Sequence, residues 1–443
     1  VSHLDLADAS AIRSDGHGNL ISLLQAHVPT RARIVAASFT SSDESVVRSS
    51  KGLDPKGEFL SEGAVELRLD RVHWFDRGSG VEELDLRLEI VVDDLPARVD
   101  VVDFLRREPG IVGGMHHDMP YTDAAQCDVL HRRVAWELGV YPALYSADFL
   151  TGETVAHRQN MIDEVIRQWR TGNLVQIMFH VSPPQYTVAQ ERDGGWGTDA
   201  AAEALASPNR VYSYLDEARW AELMDEESAL AANWNDRVDE YARYLVQLQD
   251  AGVRVLLRPF HEMNQHVFWW GGRPGPSGTA ELYRRFRARL ETRWRLDGIV
   301  WVWNVQDLPD DYGRFGGDEK FARYRGLEGG LDEYDANDWS AFSPGPDHYD
   351  VLSVDFYDDE GFSARRYEQA LAIAERDGKP LIIGETFVFP TAAERRAQPR
   401  WTLAMPWGVR TWRYNTPEAM AEFYDDAIGI AGLPRFRGAS TRR

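Results

Sequence analysis

From about residue 110 onward, short apolar runs recur along the chain, and a helical pattern follows most of them. The runs fall at 111–116, 141–147, 174–180, 253–260, 299–304, 351–357, 381–385 and 409–412. Helical patterns intervene at 124–138, 155–169, 234–251, 280–295, 363–377 and 417–430. In the second of these, Met161, Ile162, Val165, Ile166 and Trp169 recur at helical spacing, as on a helix packed against a sheet. Alternating strands and helices imply a parallel sheet, and eight repeats predict an α/β fold, a closed (β/α)8 TIM barrel, over residues 108–443. A doubly wound sheet is the alternative, but no GxGxxG follows the first run.

Residues 1–107 read differently. Alternating or β-branched runs at 33–39, 64–75 and 83–93 are separated by turn-rich pieces, which predicts a β-rich N-terminal accessory module. From Val65 to Asp70 the alternation is strict, so one face of that strand is expected to be wet. Trp74 is the aromatic platform such a module would offer a glycan; packing is the plainer role for it. Two connections in the barrel are long, 181–232 and 306–349. The first carries Tyr186, Trp196, Tyr212, Tyr214 and Trp220 and is expected to wall a cleft.

Composition narrows the function classes. At 443 residues, 43% hydrophobic and 27% charged, the chain can bury a sizeable core. Its formal net charge of −22 disfavours nucleic acid and anionic membrane as partners and is compatible with a neutral polysaccharide. Cys127 is the sole cysteine, so there is no internal disulfide and no cysteine-based zinc site. No run of about 18 apolar residues predicts a membrane span. Residues 1–10 lack the basic and apolar regions of a signal peptide. The chain is expected to be a secreted monomer in mature form, with a cytoplasmic location as the alternative.

Active sites of such barrels lie at the carboxyl ends of the strands. The predicted ends carry His116, His117, Asp118, Asp148, His180, His261, Glu262, Trp303, Asn304, Asp355, Tyr357, Glu385, Trp412 and Arg413. Glu262 and Glu385 follow the fourth and seventh runs and can face each other across the mouth. Glycoside hydrolysis needs such a pair, one to protonate the leaving oxygen and one to attack C1 or activate water. Aromatic rings stack on sugar faces, and Phe268, Trp269 and Trp270 follow Glu262 closely. The plainer alternative has Glu262 paired with Arg258 and the tryptophans in the core. Gly384 would let a ligand approach closely. Metal catalysis through His116, His117, His261 and Glu262 is the competing chemistry; adjacent histidines on a strand point to opposite faces, which weakens it. No cofactor and no metal is expected.

Arg258-Pro259-Phe260-His261-Glu262-Met263-Asn264 with Phe268-Trp269-Trp270-Gly271 resembles the acid/base motif of glycoside hydrolase family 26. Gly113 to His117, Ile177 to His180, Val354 to Tyr357, Lys379 to Thr386 and Thr411 to Asn415 resemble further strand-end segments of that family. The resemblance covers about residues 110–430. Gln265-His266-Val267 and Asn304-Val305-Gln306-Asp307 depart from the family pattern, and both flank the cleft.

The resemblance implies a retaining endo-hydrolase of a β-linked polysaccharide, β-1,4-mannan first, with Glu262 as acid/base and Glu385 as nucleophile. β-1,3-Xylan and mixed-linkage β-glucan are the alternative substrates, and a non-enzymatic carbohydrate-binding barrel is the alternative class. His116, His180, Arg258, His261, Phe268, Trp269, Trp270, Tyr357, Trp412 and Arg413 would contact substrate or support the site. Of these, His261 and Tyr357 would orient the carboxylates, and Trp269, Trp270 and Trp412 would form stacking walls. Glu262 should be held protonated by burial or by the charge of Glu385.

Overall fold

In the computed structural model, eight parallel strands close into a barrel. The structure describes residues 12–14, 20, 24, 33–50, 58–75, 86–92, 97–107, 110–193, 211–213, 215–310, 334–357 and 361–440. The expected wall residues Trp196 and Tyr214, and much of the second long connection, lie outside them. Strands are numbered along the chain. β1 (Ile12–Ser14), β2 (Arg33–Ser41), β5 (Gly63–Phe75) and β6 (Leu86–Val92) form an N-terminal sheet in the order β1-β6-β5-β2. β3 (Val47–Arg48) and β4 (Glu58–Phe59) pair beside it. The alternation in β5 turns Val65, Leu67 and Leu69 inward and leaves Glu66, Arg68 and Asp70 wet. Trp74 is buried in that sheet's own core, so it offers no face to a sugar.

The barrel strands are β7 (Val112–His116), β8 (Leu144–Asp148), β9 (Leu174–Met178), β10 (Leu256–Arg258), β11 (Val300–Gln306), β12 (Val351–Phe356), β13 (Leu381–Thr386) and β14 (Trp401–Pro406). They run round the ring as β10-β11-β12-β13-β14-β7-β8-β9. Nearly every strand residue is buried, because helices cover the outer face and side chains fill the inner one.

Seven of these strands coincide with the expected runs; the eighth does not. The run 409–412 forms a 3-10 turn (Gly408–Arg410) and a one-turn helix (Thr411–Tyr414). Gly408 sits at φ +46, and the Asp118 carboxylate accepts the Val409 N–H, so the chain turns where a strand would have to run straight. The closing strand is instead Trp401-Thr402-Leu403-Ala404-Met405-Pro406. Its Ala, Met and Pro have weak strand propensity, and burial between β13 and β7 decides its conformation.

Inward-facing residues form layers. The floor is apolar: Val112, Leu144, Leu174, Leu256, Val300, Val351, Ile382 and Leu403 share one cluster. The helix Val101–Arg107 belongs to it through Val101, Phe104 and Leu105, so this segment of residues 1–107 packs on the barrel. One or two inward positions further along most strands, the barrel turns polar. His116, Ser146, Asp148, Arg258, Asn304, Asp355 and Glu385 form that upper layer, all buried.

Outside the ring, the start of the long connection after β9 is fixed by a buried ion cluster. Glu191 accepts from Arg158 (2.9 Å), Arg237 (2.6 Å) and the Tyr241 hydroxyl (2.6 Å), with the Glu191, Arg158 and Arg237 side chains at most 1% exposed. Removing the carboxylate takes the ion-pair partner from the buried Arg237 and leaves Arg158 with Glu240 (3.0 Å) alone. Glu191→Ala is therefore expected to lower the unfolding free energy by about 3–5 kcal/mol in urea titrations. A loss below about 1 kcal/mol would mean the cluster contributes little to the fold.

Candidate active site

Two neighbouring strands bring Asp355 and Glu385 together. β12 and β13 pair Val354 with Ile383 and then Asp355 with Glu385, so Gly384 is the extra residue of a bulge. The bulge turns Glu385 into the barrel mouth beside Asp355. A Cβ on residue 384 would collide with Ser353 Oγ and Asp355 Oδ1 and lie 3.0 Å from Asn304 Nδ2. Gly384 is thus needed by the barrel's own side chains rather than by a ligand. Arg258, on the last residue of β10, is fully buried. Its Nη1 donates to both Asp355 oxygens, at 3.0 and 2.7 Å, and its Nη2 donates to Glu385 Oε1. The Tyr357 hydroxyl donates to Glu385 Oε2. Glu385 therefore has a strong donor on each oxygen.

Glu262 stands in the loop that leaves β10. Phe260 and Glu262 have φ of +52 and +49, a region L-residues rarely occupy. The loop is held there by neighbours. Asn264 donates to Gln306 O (2.8 Å) and Ala336 O (2.9 Å) and accepts the Gln306 N–H (2.8 Å). Gly272 N–H donates to Met263 O (3.0 Å), and a Cβ on Gly271 would collide with Gln265 O. Asn304 Oδ1 accepts the Glu262 N–H at 2.6 Å, and the Gln265 amide donates to Glu262 Oε2. The Glu262 carboxyl is buried and also meets that of Asp355.

Burial, and then the negative charge of Asp355, push the Glu262 carboxyl well above the usual carboxylate range. Burial, one of the two causes expected from the sequence, is the larger, and the raising charge beside it is that of Asp355. Oxygens of Glu262, Asp355 and Glu385 all lie within 4.8 Å of one another. Three carboxylates this close could suit a divalent cation. Here Arg258 already supplies positive charge to two of them, and the third is held neutral, so the donor set is an ion-paired one.

The opposite side of the mouth is built from histidines. His180 N–H and Nδ1 both meet Asp148, and one proton bridges His180 Nε2 and His261 Nε2 at 2.8 Å. His116 Nδ1 meets Ser146 Oγ at 3.0 Å. Burial is the main cause that pushes His116 and His261 well below the usual imidazole range, so both are neutral at pH 7. Half-buried Trp407, just beyond β14, stacks on His116 with ring centroids 4.1 Å apart and meets His180 edge-on at 5.8 Å.

A model of glycosyl hydrolase family 26 matches residues 101–382. The chain belongs to that family. It is 25% identical over 303 residues to a mannan endo-1,4-beta-mannosidase of Thermothelomyces thermophilus, covering 66% of this chain and 53% of that protein. It is 24% identical over 278 residues to one of Bacillus subtilis, covering 60% of this chain and 62% of that protein. The matches thus span between half and two thirds of these relatives' lengths. Among solved structures, GH26A from a Muricauda species superposes with a TM-score of 0.60 at 25% identity, covering 74% of this chain and 95% of the other. A beta-mannanase from a symbiotic protist of the termite Reticulitermes speratus shares the fold, with a TM-score of 0.57 at 18% identity over 75% of this chain and 93% of the other.

Within this family 26 barrel, Arg258, Glu262, Tyr357 and Glu385 converge, while His116, His180, His261 and Phe268 line up beside one another. His261 bonds His180 rather than a carboxylate; Gln265 and Asn304 are the groups that hold Glu262. His117 points away, beside Tyr121 and Tyr145, and joins no carboxylate. Trp269 and Trp270 are fully buried. Their indole N–H groups donate to Val181 O and His261 O, and their rings pack on Trp234, Phe260 and Phe268, so neither presents a face to a sugar. Trp412 and Arg413 are not at a strand end. Trp412 donates to Glu137 (2.6 Å) and lies under the Arg133 guanidinium on the outer helix Val129–Leu138, and Arg413 is exposed. Trp407 takes the strand-end place expected for Trp412. The sequence would have offered it had 401–406 been read as the strand.

A carboxyl whose pKa rises on folding stabilises the fold below its ordinary pKa and loses that contribution as pH climbs through the raised value. Glu262→Gln keeps the shape and removes the titration. Its melting temperature is expected to match the wild type at acid pH and to exceed it at neutral and alkaline pH. Identical melting curves at every pH would remove the case for a raised Glu262.

Proposed function

We propose that this protein is a retaining endo-β-mannanase, with Glu262 as acid/base and Glu385 as nucleophile. The observation that carries the reading is the asymmetry of the two carboxyls. One is buried, held neutral and strained into the mouth. The other is ion-paired to Arg258 and hydrogen-bonded by Tyr357, and oxygens of the two approach within 4.8 Å. A retaining pair lies about 5–5.5 Å apart and an inverting pair at least about 6.5 Å; the approach of one oxygen of each carboxyl to within 4.8 Å suits the closer pair. The mannan endo-1,4-beta-mannosidases among the relatives support mannan as the substrate.

In the first step Glu385 attacks C1. The glycosidic C–O bond breaks, its electrons go to the leaving oxygen, and that oxygen takes the proton of Glu262. In the second, ionised Glu262 removes a proton from water, the water oxygen bonds C1, and the ester bond to Glu385 breaks. Arg258 and Tyr357 hold Glu385 in one orientation and accept its return as a carboxylate. The neutral His116 and His261, with Trp407, suit the hydroxyls and apolar face of an uncharged sugar. A polymer cannot cross a membrane, so the enzyme is read as working outside the cell, as a single chain. Among the described residues no helix is long and apolar enough to span a membrane. The N-terminal sheet is read as an accessory module without a catalytic role.

The roles separate in the flask. Glu385→Ala should lose nearly all turnover on every substrate. Glu262→Ala should still complete the first step on an activated aryl β-mannoside, accumulate glycosyl-enzyme, and be rescued by azide to a β-glycosyl azide. An α-azide from the Glu262 variant would reverse the assignment. Wild-type release of reducing sugar from β-1,3-xylan or mixed-linkage glucan, but not mannan, would replace the substrate.

A further inference from the structure

Gln265 lies three residues beyond Glu262, in the stretch Gln265-His266-Val267 where this chain departs from the family pattern. Its backbone is held on both sides. Gln265 N–H donates to Glu262 O at 3.0 Å, and a Cβ on Gly271 would collide with Gln265 O. The turn at Glu262, with φ +49, brings the two side chains together. Gln265 is buried there, and its amide donates to Glu262 Oε2.

The other groups around the acid have different duties. Asp355 and Tyr357 face it from β12 and its end, Glu385 from β13 and Arg258 from β10. Arg258 donates to Asp355 and Glu385. Asn304, from β11, is uncharged and bonds the Glu262 backbone, and His261 beside it is neutral. Gln265 donates to the carboxyl itself and brings no charge. A lysine or arginine in its place would favour the ionised acid outright and take away the proton the reaction needs. An amide N–H bonds a neutral carboxyl weakly and a carboxylate about twice as strongly.

We infer that Gln265 is a positioning residue for the acid/base: its amide engages Glu262 Oε2, leaves the proton to the other oxygen, and tightens its bond as that proton departs. The inference rests on the proposed hydrolase reading. In the first step charge builds on Glu262 as the leaving oxygen takes the proton, so the bond is stronger in the transition state than before it. The gain is largest for a poor leaving group, where proton donation matters most. The same bond opposes the upward push that burial and Asp355 give the Glu262 carboxyl. Without it the acid keeps its proton to higher pH and gives it up less readily.

The test compares the wild type with Gln265→Met, which keeps the length and removes the donor, and Gln265→Asn, which withdraws the amide by one methylene. kcat/KM is measured against pH on mannan and on an activated dinitrophenyl β-mannoside. Both variants lose about ten- to a hundredfold on mannan, as expected for a lost bond to a charged group, and far less on the activated substrate. On mannan the alkaline limb, set by Glu262, moves to higher pH, and the acid limb, set by Glu385, stays in place. Equal loss on both substrates with both limbs unmoved marks a structural role and overturns the inference, as does full activity in both variants. Those results leave the mannanase reading standing, because the wild type still cleaves mannan. If Gln265→Met does not fold, the limbs of Gln265→Asn decide. A wild type active only on β-1,3-xylan or mixed-linkage glucan moves the same comparison to that glycan. A wild type inert on all three sinks the hydrolase reading, and the inference falls with it.

Discussion

Arg258 is the charge on which the upper barrel depends. It is fully buried and is held by two carboxylates on adjacent strands, Asp355 and Glu385. Without it, three carboxyls could not share so small a space, since each buried charge would lack a counter-ion. With it, the three become unequal. Asp355 and Glu385 are both bonded to the guanidinium, which opposes the upward push that burial gives the Asp355 carboxyl. Glu262 receives no hydrogen bond from Arg258, is buried, and faces the charge of Asp355. Its proton is retained because burial and that neighbour outweigh the more distant attraction of Arg258. The division into a proton donor and an anion thus follows from where one cation stands.

Glu262 reaches this position only through backbone that L-residues avoid, and the neighbouring structure supplies the restraint. The Asn264 clamp to the β11 loop, the Gly271 and Gly272 turn, and the burial of Trp269 and Trp270 all act on the same loop. The two tryptophans are the weights that hold it down. The Trp269 indole N–H is tied to Val181 O, which fixes the β9 and β10 loops to one another, and that of Trp270 to His261 O closes the β10 loop on itself. A strained, desolvated acid is a destabilising feature that such packing has to over-determine.

What was legible in the sequence follows from what local pattern can encode. Seven barrel strands could be read because a parallel strand covered on both faces is a continuous apolar run. Glu262 and Glu385 could be read because each ends such a run. β14 was hidden because its conformation comes from its neighbours, and with it went Trp407. The Asp355–Glu385 register depends on a bulge between two strands, and no single segment carries that information. Gly384 gave a signal, but its meaning lay in Ser353 and Asn304, residues far along the chain. Glu191 is 33 and 46 residues from the arginines it pairs with, beyond any local spacing rule. The paired tryptophans were visible as aromatic residues beside an acid; which way their rings point is settled only by the loop's fold.

The charge balance of the mouth gives the arrangement its electrostatic sense. On the β10 to β13 side the Asp355 and Glu385 carboxyls meet a single guanidinium, Arg258, so acidic groups outnumber the cation there. His116 and His261 add no positive charge, because burial and their proximity to His180 and Arg258 keep both neutral. For the proposed reaction that asymmetry has the right sign. Positive charge develops on the sugar ring as the glycosidic bond loosens, and it develops against the side that is already negative and fixed by hydrogen bonds. A protonated histidine pair would cancel this field. Burial of His116 and His261 therefore protects the field that the carboxylates create, while Asp148 fixes the ring orientation of His180.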